Sequence, residues 1–190
     1  MRKVFKSMMI ALSFLSMGMV TTSCEEGGIL SQILGNLLGQ TETYNYTGTA
    51  TSESLTGAAS TMQWNYINTP TSTKLTAPVT LTIQNSLATL ALPAYTDGNV
   101  TMNGVTLYSL DMSASTDQSY TALSVGENST IDGSILYNGV TYTAGTVYIT
   151  SAKATSDALV LDLTLYFASS SDTDYTKAIN FTYTGKIVAE

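Results

Sequence analysis

Residues Asp157 to Ala168 read DALVLDLTLYFA, and this stretch decides the fold. Leu159, Leu161, Leu163, Leu165 and Phe167 take every odd position, with Asp162, Thr164 and Tyr166 between them. Successive side chains of a strand point to opposite faces, so period two makes one face apolar and the other wet. Lys177 to Val188 repeats the pattern, with Ile179, Phe181, Tyr183 and Ile187 on one face. Pro78 to Asn85 gives Val79, Leu81 and Ile83, and Ser60 to Ile67 gives Met62, Trp64 and Tyr66. Val105–Ser113, Tyr120–Val125, Ser134–Tyr137 and Thr146–Lys153 complete a set of short strands.

Turn chemistry joins these strands. Asn138-Gly139 stands between Ile135-Leu136-Tyr137 and Val140-Thr141-Tyr142, and Asn103-Gly104 stands between Val100-Thr101-Met102 and Val105-Thr106-Leu107. Asn-Gly tolerates the positive φ that a type I′ turn demands at both central residues, so each pair predicts a hairpin. Asp97-Gly98 and Asp132-Gly133 are further turn candidates. The expected fold class is all-β, an antiparallel meander closed into a barrel, with a β-sandwich as the alternative. One pattern favours closure. The first strand carries Tyr46-Thr47-Gly48 and the last carries Tyr183-Thr184-Gly185, and pairing the two would remove both exposed edges.

The chain divides into residues 1–23, 24–40 and 41–190. Arg2, Lys3 and Lys6 precede an apolar run from Met8 to Val20, the pattern of a secretory signal and too short to span a bilayer. Thr21, Thr22 and Ser23 lead to Cys24, the only cysteine. Small residues leading to a lone cysteine at this point resemble the lipobox of bacterial lipoproteins, which implies that Cys24 is lipidated and becomes the mature N-terminus. Glu25 and Glu26 follow, which resembles the surface-export signal of outer-membrane lipoproteins in some Gram-negative gut bacteria and implies an outward-facing protein. Ile29, Leu30, Ile33, Leu34, Leu37 and Leu38 then form one stripe of a short amphipathic helix, with Gly39 at its cap. The stripe packs on the domain that follows, rests on the membrane beside the anchor, or engages a partner such as an outer-membrane protein.

Composition excludes several functions. Without the leader, Lys74, Lys153, Lys177 and Lys186 face 14 acidic residues. Four scattered lysines make no phosphate-binding patch, so no nucleic-acid partner is expected. There is no histidine, which removes the usual general base near neutral pH and the Ser-His pair. Without histidine or a free thiol, zinc, copper and non-haem iron sites lose their normal ligands. No cofactor, no metal and no catalytic residue are expected. Asp172-Thr173-Asp174 is the nearest approach to a calcium motif and reads as a solvated turn.

Tyrosine supplies 12 residues and tryptophan one. Met62, Trp64 and Tyr66 share one strand face. They pack in the barrel wall, or they offer a surface for a small apolar or sugar ligand. The signal ending at Cys24, the Tyr-Thr-Gly-Thr first strand from Tyr46, the Asn-Gly hairpins and the Ala158–Phe167 strand together resemble the calycin-like, lipocalin-type β-barrel lipoproteins of gut Gram-negative anaerobes. The resemblance covers residues 41–188. It implies an outer-membrane-anchored barrel with a non-enzymatic binding role, or a structural part in an outer-membrane assembly.

Overall fold

The computed structural model describes residues 41–58, 63–67, 69–169 and 172–188, so Cys24 and the Ile29–Leu38 stripe lie outside the described residues. Twelve antiparallel strands follow: β1 (Glu42–Ala58), β2 (Gln63–Tyr66), β3 (Thr71–Lys74), β4 (Val79–Gln84), β5 (Leu87–Leu92), β6 (Tyr95–Asp97), β7 (Val100–Ala114), β8 (Thr121–Ser124), β9 (Thr130–Tyr137), β10 (Val140–Ala154), β11 (Ala158–Ser169) and β12 (Asp172–Ile187). Eight of them close a barrel in the order β1, β4, β5, β7, β9, β10, β11, β12 and back to β1. The described region contains no helix.

Closure rests on the paired glycines. β1 meets β12 with Gly48 directly opposite Gly185. A Cβ built on Gly48 would stand 2.0 Å from the Thr184 carbonyl oxygen and 2.5 Å from Gly185 Cα. On Gly185 a Cβ would collide with the Tyr183 hydroxyl at 2.0 Å. The two backbones therefore approach more closely than any side chain allows, and the space above Gly185 holds the inward-turned Tyr183. Its hydroxyl donates to the Tyr46 carbonyl at 2.7 Å, which stitches the seam from inside. Val188 N donates to the Asn45 carbonyl at 2.9 Å and extends the seam past the end of β12.

The alternating residues fill the interior. Leu159, Leu161, Leu163, Leu165 and Phe167 of β11 are all buried, as are Ile179, Phe181 and Tyr183 of β12. They join Val79, Leu81 and Ile83 of β4, Ala88, Leu90 and Leu92 of β5, and Leu107 and Leu110 of β7 in one continuous core. Tyr95 meets the Phe181 ring edge-on, with centroids 5.9 Å apart. Burial of each such side chain contributes about 1.5–3 kcal/mol. Threonines cover the outside, where Thr80 donates to Asn45 and Thr164 to Asn180, both at 2.8 Å.

Two of the glycine-containing pairs do not turn the chain. Asn103-Gly104 lies inside the continuous strand β7, and Asp132-Gly133 lies inside β9. They face each other: the β7–β9 register slips between Met102 and Val105, and a Cβ on Gly133 would sit 2.7 Å from the Gly104 carbonyl oxygen. Positive φ here serves a bulge that bends the wall rather than a hairpin. Asp97-Gly98 and Asn138-Gly139 do turn the chain, between β6 and β7 and between β9 and β10, with positive φ at Gly98, Asn138 and Gly139. The β4–β5 hairpin turns on Asn85 and Ser86, at φ 51° and 66°, with no glycine at all. Asp172-Thr173-Asp174, expected as a turn, opens β12 instead, because β11 carries the register on to Ser169 opposite Asp172.

Two tests follow from the seam. Gly48→Ala forces its methyl into backbone rather than a movable side chain, so denaturant unfolding should show a loss of about 4 kcal/mol or more. Tyr46 and Tyr183 should respond in opposite directions. The Tyr46 hydroxyl is buried and has no hydrogen-bond partner among the described residues. Tyr46→Phe should raise stability by about 1 kcal/mol, while Tyr183→Phe should lower it by about 1–2 kcal/mol through the orphaned Tyr46 carbonyl.

Candidate functional site

The barrel wall departs from regular pairing in two places. The first is beside β1. Along its length β1 pairs with β4 at Glu42–Tyr46, with β3 at Thr49–Ser52 and with β2 at Leu55–Ala58. β3 and β6 do not pair with each other, and side chains bridge the junction. The Asp97 carboxylate accepts from Thr71 Oγ1 at 2.9 Å and from Ser52 Oγ at 3.2 Å. The Tyr95 hydroxyl donates to the Thr71 carbonyl at 3.2 Å. Asp97 and Ser52 are buried, so these charge-assisted bonds satisfy groups that are costly to leave alone.

Outside this junction lies the depression that contains Tyr66. Glu53, Tyr66, Ile67, Thr69 and Pro70 line a hollow of about 370 Å³. Tyr66 stands opposite Leu55 in the β1–β2 ladder and is 67 % exposed. Leu55 is buried yet stands apart from the central core. Of the three residues expected on this face, Tyr66 lies in the hollow. Trp64 lies two residues earlier in β2, its backbone opposite Gly57. Met62 lies outside the described residues. A flat exposed ring beside a carboxylate suits a sugar: the ring stacks on its C–H face and the carboxylate accepts from its hydroxyls.

The second departure is a window between β9 and β10. β8 and β9 run one after the other along the same edge of β7, β8 opposite Asp111–Ala114 and β9 opposite Val100–Tyr108. They act as one stave broken by residues 125–129. β10 pairs with β9 at Val140–Thr143 and with β8 at Lys153 and Ala154. Between those anchors the edge of β10 has no ladder partner. Leu110, Val125, Ser129, Thr130, Ile131, Gly145, Thr146 and Val147 line the resulting cleft of about 350 Å³. Leu110 at its floor belongs to the core, and Ile131 and Val147 pack against that core.

The break is braced. Ser129 Oγ donates to the Ser109 carbonyl at 2.8 Å and accepts from Gly126 N at 2.9 Å. Ser109 itself has φ 54°, a left-handed conformation unusual for serine, where β7 bulges against β5. The window was not legible beforehand. Strand periodicity marks Thr146–Lys153 and Ser134–Tyr137 as separate strands but carries no sign that β8 and β9 share one stave.

The phenols of the seam are held in their neutral form. Burial pushes the Tyr183 phenol up to about 12. Burial, followed by the proximity of the acidic groups Tyr44, Tyr183 and Asp157, drives Tyr46 well above the ordinary range. Burial and then the hydrogen bond to Glu42 raise Tyr44 likewise. All three stay neutral under physiological conditions. Lys177 Nζ lies 5.2 Å from the Tyr142 ring centroid and 5.4 Å from that of Tyr137, and Lys153 Nζ lies 4.8 Å from Tyr120, each a cation–π contact. Among the described residues no three His, Cys, Asp or Glu side chains gather as a metal site, and no helix is long and apolar enough to cross a membrane.

The architecture is that of an eight-stranded antiparallel barrel, consistent with the calycin-like class. Comparison with protein-family models, with curated proteins and with solved structures gives no match to this chain.

Proposed function

We propose that this chain is a lipid-anchored, non-enzymatic binding protein of the lipocalin-type lipoprotein kind. Cys24 carries the acyl anchor at the outer membrane, and the barrel faces the cell exterior. The ligand is small and apolar or a sugar, and the hollow at Tyr66 receives it. The observation that carries this reading is the contrast between a side-chain-filled interior and a tyrosine left 67 % exposed beside Glu53. A barrel whose axis holds Tyr46, Phe167, Phe181 and Tyr183 binds from its outer surface. The carboxylate favours a neutral sugar over an anionic one.

A second reading is a structural role in an outer-membrane assembly. It draws on Tyr108, Leu136, Val140 and Tyr148, all exposed on β7, β9 and β10. Exposed apolar side chains on adjoining strands suit a protein partner.

The anchor is tested by Cys24→Ser. Metabolically supplied labelled palmitate should enter the parent chain and not the variant, and the variant should leave the envelope fraction. Equal labelling or equal sedimentation overturns the anchor. The ligand is tested through Trp64 emission, titrated with a panel of neutral oligosaccharides. A saturable change is expected, weakened about tenfold, or about 1.4 kcal/mol, in Tyr66→Ala. Silence across the panel leaves the assembly role as the better account.

A further inference from the structure

We propose that the window between β9 and β10 is a second binding site, separate from the Tyr66 hollow, for a small neutral ring compound carrying one hydrogen-bonding group.

The window is bounded by pairing at both ends and lined by strand-forming residues. Thr146-Val147-Tyr148-Ile149-Thr150 on its β10 side are all β-branched or aromatic, the residue types that favour strands. They nevertheless have no ladder partner on that edge, while Thr146–Ile149 stay paired with β11 and Thr150 falls at a register shift. The opposite rim, Thr130–Gly133, pairs only with β7. The residues between Ser124 and Thr130 interrupt the stave beside β10, and Ser129 ties them to a bulge of β7 whose Ser109 sits at positive φ. Backbone strain of this kind persists where surroundings over-determine it, and it clusters at ligand sites.

The lining sets the chemistry. Leu110, Val125, Ile131 and Val147 make the floor and walls apolar. Thr130 and Thr146 supply hydroxyls, and the unladdered backbone supplies further donors and acceptors at the rim. None of the eight lining residues is charged, so an ion would enter without compensation. The volume of about 350 Å³ exceeds the ~150 Å³ that holds benzene and falls within the range of ligand pockets. Pairing closes the window above at Thr143–Ser134 and below at Lys153–Ala122. A strand added to an edge needs that edge open at its ends, so the enclosure favours a compact molecule over an extended peptide.

Hydrogen exchange of the full chain, with millimolar indole as the probe, tests this. Indole is neutral, bicyclic and carries one N–H donor. Amides in 130–133 and 144–151 that lack a ladder partner should exchange fast, and indole should slow them by about fivefold or more. Val147→Trp, which fills the window from within, should abolish the indole effect. Thr146→Trp, an exposed rim position, should do the same without entering the core. Tyr66→Ala should leave the effect intact, so failure of the sugar reading and failure of this one are separable. Absence of slowing in these segments, slowing confined to other strands, or slowing that survives both tryptophan variants overturns the proposal.

Discussion

The barrel depends on one close approach, that of the backbones at Gly48 and Gly185. Every other pairing in the ring joins neighbours that a short connection brings together or strands already inside the sheet. The β1–β12 pairing joins the two ends of the chain and removes the last open edges. It needs two glycines opposite one another, since a methyl at either place meets backbone or the Tyr183 ring. The space so released above Gly185 admits Tyr183 to the interior beside Tyr46. The same contact therefore both shuts the barrel and fills it, at the expense of a Tyr46 hydroxyl left without a partner among the described residues.

Elsewhere the wall is less uniform, and the irregularities are managed by different means. At the β3–β6 junction a buried carboxylate and hydroxyls span the interval, so polar side chains replace a backbone ladder. Between the β9 and β8 pairings of β10 no ladder spans the interval among the described residues, and Ser129 ties the intervening loop back to β7. One irregularity is sealed and the other is left without a ladder. That difference is why partly buried Ile131 and Val147 line a cleft at the second.

Much of this was readable from the residues. The odd-position leucines of Asp157–Ala168 and the Tyr-Thr-Gly repeats gave the inward faces and the closing pair, because period two and a steric need for glycine are local properties. The β4–β5 hairpin and β5 itself were harder, since Asn85-Ser86 adopts positive φ without the glycine that advertises such turns. Asn103-Gly104 and Asp132-Gly133 misled for the converse reason: glycine marks unusual backbone, and whether that backbone turns or bulges is set by the strand it faces. Tyr66 could be placed on a strand but not on the outside of the wall. That depends on β2 lying along the far half of β1, after β4 and β3 have used the near part. The window required knowing that two strands share one stave, which no single segment encodes.

The seam also orients the molecule. Asn45 and Val188 are hydrogen-bonded, so the chain enters and leaves at the same rim. Tyr66 pairs opposite Leu55, nine residues further along β1 than Tyr46, a rise of about 30 Å at strand spacing. The rim where β1 begins and β12 ends thus lies at one end of the barrel and the tyrosine hollow towards the other, like a lamp set at the head of its post.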